Sequence, residues 1–171
     1  HPFALTALTA FVASALILWR RVALVPLLVA ATTIPMSQRL VMGGVDFTLL
    51  RLLLLAYLIR ILVRGETRGY APNRLDWAIL SWVILGTLVM TLREGTAAAL
   101  VNRLGWGYDI LMTYIITRVV VRDWQDVIAI GRAAALLSIP IACFFAFEWF
   151  TQSNLFSVFG GVPEVTRVTE G

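Results

Sequence analysis

Residues 75–92 decide the predicted fold: they read LDWAILSWVILGTLVMTL and carry one charge, at Asp76. An apolar run of this length is typical of a helix that crosses a hydrocarbon layer about 30 Å thick. Five further runs share this character and are bounded by charge, proline or glycine: residues 3–18, 22–36, 47–63, 104–121 and 127–150. The sequence therefore predicts an all-α, polytopic transmembrane helical bundle of about six spans.

The overall composition supports a membrane protein and excludes several other classes. Hydrophobic residues make up 60% of the chain, charged residues 14%, and the mean hydropathy is +0.85, which is more apolar surface than a soluble domain of 171 residues can bury. The single cysteine, Cys143, cannot form an internal disulfide, so a disulfide-rich secreted module is excluded. The first two runs are the weakest spans, because both are short and the second contains Pro26 and Pro35.

The basic charge of the chain indicates membrane orientation rather than nucleic-acid binding. All 14 basic residues are arginines, against 10 acidic residues, and they lie mainly at the ends of the apolar runs. The positive-inside rule places the more arginine-rich side in the cytoplasm. That side holds 9 arginines, namely Arg20, Arg21, Arg60, Arg64, Arg68, Arg74, Arg118, Arg122 and Arg132; the other side holds 5, namely Arg39, Arg51, Arg93, Arg103 and Arg167.

The domain organisation follows from the same runs. Residues 1–150 are predicted to form a transmembrane helical domain, and residues 151–171 the start of an external loop. We expect the chain to be part of a longer protein, because it opens at His1 and stops in a polar stretch. Two helix starts are also predicted, where Asn73 and Asp123 can cap the helix amides and an aspartate follows three residues later.

Motifs for nucleotide, metal or nucleophilic chemistry do not occur in the sequence. It contains no GxxxxGK[ST] or GxGxxG phosphate loop, no HExxH or CxxC pattern, and one histidine, His1. The sequence therefore assigns no catalytic residue, no metal ligand and no cofactor.

Ionisable residues at membrane depth are more informative, because each needs a partner, a wet cavity or a route to the interface. Arg51 lies about four residues into the third run, within DFTLLRLLLL. Its long side chain either extends to the headgroups or Asp46, or it binds a phosphate at the outer interface. Glu148, near the outer end of the last run, is either a hydrogen-bonding brace or a substrate ligand. Arg60 and Arg64 are predicted to be cytoplasmic anchors.

The stretch NRLGWGYD, residues 102–109, combines polar residues with two glycines at the outer end of a span. Gly105 and Gly107 either interrupt the helix or let another segment approach closely. The sequence leaves these two alternatives open.

The order of these features resembles a known family. The first feature is a span that contains an arginine and ends in basic residues, GVDFTLLRLLLLAYLIRILVRGE. A later stretch reads LMTYIITRVVVRDWQDVIAIGRAAALLSIPIACFFAFEW, and the tail TQSNLFSVFGGVPEVTRVTEG follows it. Residues 40–171 resemble the amino-terminal half of bacterial O-antigen ligase-like and Wzy-type polysaccharide polymerase membrane proteins. The positions that carry the resemblance are Tyr114 to Arg118, Arg122 to Asp126, Glu148, and Asn154 to Phe156.

The resemblance implies an enzyme of the bacterial inner (cytoplasmic) membrane that handles undecaprenyl-pyrophosphate-linked glycans on the outer face. In that family external arginines bind the pyrophosphate and later segments supply most of the catalytic machinery, so residues 1–171 alone are expected to be inactive. The implied substrate-binding residues are Arg51, Arg103, Glu148 and Arg167.

Two other classes stay open on the sequence alone. A transporter module would place ionisable residues near the bilayer midplane. A membrane sensor or scaffold domain needs no such site. The lipid bilayer is the expected partner in every case.

Overall fold

The computed structural model describes residues 2–34, 39–42, 45–155 and 157, and this part of the chain is all-helical apart from one pair of short strands. It divides into two compact units, one made of residues 1–57 and 120–171 and the other of residues 58–119. The α-helices are α1 (Pro2–Ile17), α2 (Leu24–Thr33), α3 (Leu49–Val63), α4 (Arg74–Glu94), α5 (Ala97–Val120) and α6 (Trp124–Thr151).

In the first unit, α1 packs on α2, and α2 packs on α6. A 3-10 turn at Arg20–Val22 connects α1 to α2 and contacts α6. Tyr57 in α3 is fully buried and its hydroxyl donates a hydrogen bond to the backbone carbonyl of Ala23. Small and aliphatic side chains fill this core, among them Ala15, Leu24, Leu27, Ala30, Leu49, Leu53 and Leu54.

A strand pair precedes α3. Strands β1 (Arg39–Met42) and β2 (Val45–Thr48) are antiparallel, with Arg39 opposite Thr48 and Met42 opposite Val45. The third predicted span, residues 47–63, therefore begins as a strand, and its helix starts at Leu49. The Thr48 hydroxyl accepts a 3.3 Å hydrogen bond from the Arg51 amide, which satisfies one of the unpaired amides of the first helical turn.

Two helices, α4 with 21 residues and α6 with 28, are long and apolar enough to cross a membrane. Their apolar side chains point outward: Val83 is the buried residue of α4, and Asp126 that of α6. α5 is longer than α4 but contains Asn102, Arg103 and Asp109.

The remaining predicted spans are shorter as helices. At 1.5 Å per residue, the 16 residues of α1 extend about 24 Å and the 15 residues of α3 about 22 Å. The six-span bundle is therefore not confirmed; the described helices support two candidate spans.

The second predicted span, residues 22–36, differs most from the structure. Its helix α2 has 10 residues, about 15 Å, which is half the thickness of the hydrocarbon layer. Two prolines explain the difference: Pro26 lies in the first turn of α2, where its missing amide is tolerated. Ile34 precedes Pro35 and is extended, as residues before proline usually are.

Both predicted helix starts are confirmed. At α4, the Asp76 amide donates to Asn73 Oδ1 at 3.1 Å and the Asn73 amide donates to Asp76 Oδ2 at 2.6 Å. At α6, the Asp126 amide donates to Asp123 Oδ1 at 2.9 Å, and the Asp123 amide donates to Asp126 Oδ2 at 3.3 Å. Each pair is a reciprocal capping box that satisfies amides at the helix start.

Candidate functional site

Helices α4 and α5 of the second unit lie side by side and run in opposite directions. A short turn at Gly95 and Thr96 connects them, with Gly95 in the left-handed conformation at φ +66°. Contacts at three levels fix this hairpin: Asp76 with Tyr114, Val83 with Gly107, and Glu94 with Arg103. We call the part around residues 91–103 the Gly95 end and the part around residues 70–76 and 114–118 the Asn73 end.

The middle of the hairpin depends on the absence of a side chain at Gly107. A Cβ atom at this position would lie 2.9 Å from Val83 Cγ1. α5 continues without interruption through Gly105 and Gly107, so the close-approach alternative holds at Gly107. Trp106 packs beside Gly86 and meets the Trp82 ring edge-on, with the ring centroids 5.3 Å apart.

At the Gly95 end, Arg103 has a fixed position. Its Nη2 donates a 2.9 Å hydrogen bond to Glu94 Oε1, and the two side chains are 28% and 44% exposed. Arg103 Nε is buried and has no hydrogen-bond partner among the described residues. Glu94 therefore accepts a hydrogen bond from Nη2 of Arg103. The Nε–H group of Arg103 can still donate a hydrogen bond to another molecule.

A second polar atom at the same end is also without a partner. Thr91 Oγ1 is buried and makes no hydrogen bond within the described part of the chain. Thr91 lies one helical turn before Glu94 in α4, at the same end of the hairpin as the Glu94–Arg103 pair. Buried donors without partners are rare in folded proteins, and a water or a ligand can supply the missing hydrogen bond.

The Asn73 end is closed by side-chain contacts instead. Tyr114 donates a 2.6 Å hydrogen bond to Asp76 Oδ1, and Arg118 Nη1 donates to the same oxygen. Arg118 also donates to the Tyr114 hydroxyl at 3.0 Å and to the Ala71 carbonyl at 2.9 Å. The Tyr114 to Arg118 stretch, which carries part of the family resemblance, therefore fastens the last turns of α5 to the start of α4.

Tyr70 completes the Asn73 end. The Arg118 guanidinium lies 5.0 Å from the centre of the Tyr70 ring, within cation–π range. Partial burial raises the pKa of the Tyr70 hydroxyl, and the neighbouring Asp76 carboxylate raises it further. Tyr70 is therefore neutral at physiological pH.

The first unit has its own charged cluster, at the turn between α5 and α6. Asp126 is buried, and its Oδ2 accepts a 3.0 Å hydrogen bond from the Arg122 amide. Arg20 Nη1 lies 3.3 Å from that oxygen and also donates to the Val120 carbonyl at 3.2 Å. Arg21 Nε lies 3.8 Å from Asp126 Oδ1. These contacts place positive charge at the carboxyl end of α5 and negative charge at the amino end of α6, as helix dipoles favour.

The four predicted substrate-binding residues lie in different parts of the structure. Arg51 is half-buried in the first turn of α3, and Glu148 is half-buried in the last turn of α6, both in the first unit. The described residues provide no hydrogen bond or ion pair to the Glu148 carboxylate. Arg103 belongs to the second unit, and Arg167 lies outside the described residues.

Two further features were not predicted from the sequence. Arg60, predicted as a cytoplasmic anchor, is 1% exposed, and its Nη2 donates to Glu66 Oε1 at 3.1 Å. Arg64, one residue beyond the end of α3, is exposed, and its amide donates a 2.9 Å hydrogen bond to the Arg60 carbonyl. The other feature is Thr91: a threonine within an apolar run is an ordinary packing residue by sequence.

The described part of the chain contains no group of three or more histidine, cysteine, aspartate or glutamate side chains arranged to hold a metal ion. Comparison with known proteins finds no matching family model, no matching curated protein and no matching solved structure.

Proposed function

We propose that this chain is the membrane-embedded part of a bacterial cell-surface polysaccharide enzyme, similar to an O-antigen ligase or polymerase, that handles undecaprenyl-pyrophosphate-linked glycans. The observation that carries the proposal is Arg103 at the Gly95 end: its guanidinium is bonded to Glu94, and its buried Nε has no partner among the described residues.

The chemistry of that end suits a phosphate group. A guanidinium binds phosphate oxygens through directed, charge-assisted hydrogen bonds and stays protonated at every physiological pH. Prior bonding to Glu94 reduces the side-chain entropy that binding would otherwise remove. Glycosyl transfer from a lipid pyrophosphate also requires fixed cations that stabilise the departing phosphate groups, and arginines fill this role.

The proposed location is the bacterial inner membrane, in a multi-pass arrangement. α4 and α6 supply two candidate spans with outward-facing apolar side chains. In the orientation favoured by the arginine distribution, the Asn73 end faces the cytoplasm and the Gly95 end faces the outer side. Arg103 then lies where the pyrophosphate of a flipped lipid-linked glycan is found.

A non-catalytic sensor or scaffold is the alternative with specific support. The charged groups at the Asn73 end and at the α5–α6 turn are engaged in caps and ion pairs, which is the pattern of a structural module. A transporter has less support, because residues 77–92 and 133–147, the central parts of α4 and α6, contain no acidic or basic side chain.

A binding experiment tests the proposal. The chain is reconstituted in lipid nanodiscs and titrated with a fluorescent undecaprenyl-pyrophosphate glycan, with undecaprenol as the uncharged comparison. We expect the pyrophosphate to bind at least tenfold more tightly than undecaprenol, and Arg103→Gln to remove most of the difference, since each charge-assisted hydrogen bond contributes about 1.5–3 kcal/mol.

Arg93→Gln is the matched control, because Arg93 is an exposed arginine at the same end of the hairpin. It is expected to keep the wild-type affinity. Equal binding of the pyrophosphate and undecaprenol by the folded wild-type chain would reject the proposal and favour the scaffold.

A further inference from the structure

We propose that the loop between α3 and α4 binds the headgroups of anionic phospholipids through Arg68 and Arg74. The proposal is independent of any glycan substrate. It rests on how the fold distributes charge and apolar surface around residues 62–77 of the second unit.

The acidic side chains of this region are turned inward and neutralised. Glu66 has a side chain that is 10% exposed and is bonded to the buried Arg60. Asp76 has a side chain that is 13% exposed and accepts hydrogen bonds from Tyr114 and Arg118. These two are the acidic residues between positions 58 and 93, so neither is presented at the surface of the loop.

The arginines of the loop are turned outward. Arg68 and Arg74 are exposed, and neither side chain forms a hydrogen bond or an ion pair with any residue that the structure describes. The loop backbone that presents Arg68 is held by hydrogen bonds from the Glu66 amide to the Ile61 carbonyl at 2.9 Å and from the Arg68 amide to the Gly65 carbonyl at 3.1 Å. Two guanidinium groups are therefore exposed to solvent, and the nearby carboxylates are already paired with other side chains.

Large apolar side chains flank these arginines. Leu62 and Val63, at the end of α3, are 63% and 80% exposed. Leu75 and Trp77, in the first turn of α4, are 56% and 63% exposed. Tryptophan and arginine next to exposed aliphatic residues are typical of the boundary between headgroups and acyl chains.

This combination selects one kind of partner. A soluble polyanion such as a nucleotide would complement the guanidinium charge but leave the apolar side chains in water. An anionic phospholipid satisfies both, because its phosphate meets the arginines while its acyl chains cover the apolar residues. Each arginine near an anionic surface strengthens binding by about 1 kcal/mol, which corresponds to about a fivefold preference.

The test measures which lipids remain bound to the purified protein. The intact chain is exchanged into mixed micelles that contain equal amounts of phosphatidylglycerol and phosphatidylcholine, and the retained lipids are quantified by mass spectrometry. The variants are Arg68→Gln, Arg74→Gln, the double glutamine variant and the double lysine variant. Arg93→Gln, at the opposite end of α4, is the matched control.

We expect a severalfold enrichment of phosphatidylglycerol on the wild-type chain, on the double lysine variant and on the control. The single glutamine variants should lose part of the enrichment and the double glutamine variant most of it, at an unchanged melting temperature. If the double glutamine variant does not fold, the enrichment measured on the two single glutamine variants tests the proposal. Equal enrichment on the wild-type chain and on folded glutamine variants would overturn the proposal.

A second experiment distinguishes binding of a lipid headgroup from binding of free phosphate. Inorganic phosphate is added at constant ionic strength during the lipid exchange. Enrichment that persists supports a lipid headgroup, whereas its complete loss would identify a site for a soluble oxyanion and overturn the lipid proposal.

Discussion

The Tyr114 hydroxyl donates a 2.6 Å hydrogen bond to Asp76 Oδ1 and so connects the last two turns of α5 to the first turn of α4. The same aspartate closes the capping box of α4 with Asn73. The Asp76 carboxylate therefore caps the start of α4 and also binds the neighbouring helix α5. Asp76 therefore supplies one of the three contacts that hold α4 against α5.

Removal of the Tyr114 hydroxyl tests this connection. Tyr114→Phe is expected to lower the free energy of unfolding by about 1 kcal/mol, the usual net contribution of a single hydrogen bond. The measurement is thermal or denaturant unfolding of the protein in detergent. A double-mutant cycle with Asp76→Asn should show coupling between the two substitutions, and additive effects would mean that the hydroxyl stabilises the hairpin through another group.

Gly107 is expected to tolerate no added methyl group. In Gly107→Ala the new Cβ lies 2.9 Å from Val83 Cγ1, so the helices must separate or shift, and we expect a loss of about 1–3 kcal/mol. Gly131→Ala in α6 is the control, because no described atom beyond its chain neighbours and the backbone of its own helix lies within 4 Å of the new Cβ. That substitution should be neutral or stabilise by up to about 1 kcal/mol. Equal effects of the two changes would contradict the close packing of α4 on α5.

Thr91→Val separates stability from binding. The valine has the same shape but lacks the hydroxyl, which has no partner among the described residues. We therefore expect the free energy of unfolding to stay constant or rise by about 1 kcal/mol, because a buried unpaired polar group is removed. Affinity for the pyrophosphate lipid should fall severalfold in the nanodisc titration. A loss of stability would show that the hydroxyl is already bonded in the free protein.

Arg51→Gln tests the candidate arginine of the first unit. If Arg51 binds phosphate, its substitution lowers donor affinity more than it lowers the yield of folded protein, because a charge-assisted hydrogen bond is lost. Both quantities are measured on the same preparations. Unchanged affinity at normal yield would leave Arg51 as a side chain that extends to the headgroups.

Cysteine labelling tests whether α4 crosses the membrane and in which direction. In a Cys143→Ser background, single cysteines replace the exposed residues Thr67 and Ala98, which lie before and after α4. A membrane-impermeant maleimide should label Ala98→Cys in intact cells, and Thr67→Cys after permeabilisation. Labelling of both positions from one side would show that α4 does not cross. The reverse pattern would invert the proposed orientation.

Local sequence signals predicted the local structure well. The capping boxes depend on residues three apart, so the spacing of Asn73 with Asp76 and of Asp123 with Asp126 was sufficient. The bounds of α4 and α6 followed the apolar runs within a few residues. The strand pair was missed although Gly43 and Gly44 lie between β1 and β2, and a Gly-Gly pair between short apolar stretches is a known hairpin signal.

Pairings between residues far apart in the chain could not be predicted from the sequence. Tyr114 and Asp76 are 38 residues apart and Arg20 and Val120 are 100 apart, and composition does not specify which arginine meets which acceptor. Arg60 illustrates the limit, since it resembles an interfacial anchor until Glu66 is seen to fold back onto it. The candidate site was predicted only as single residues; the pairing of Arg103 with Glu94 depends on how α4 and α5 pack against each other.

The contact between Glu94 and Arg103 also bears on how this hairpin is made. Glu94 precedes Arg103 by nine residues, so during translation the acidic partner leaves the ribosome first. α5 carries polar residues that oppose its entry into lipid alone, whereas α4 is strongly apolar. For a hairpin that inserts into a bilayer, delivery of both helices together neutralises Arg103 before lipid surrounds it. In the proposed membrane arrangement, Arg103 therefore has its acidic partner already present when α5 is made.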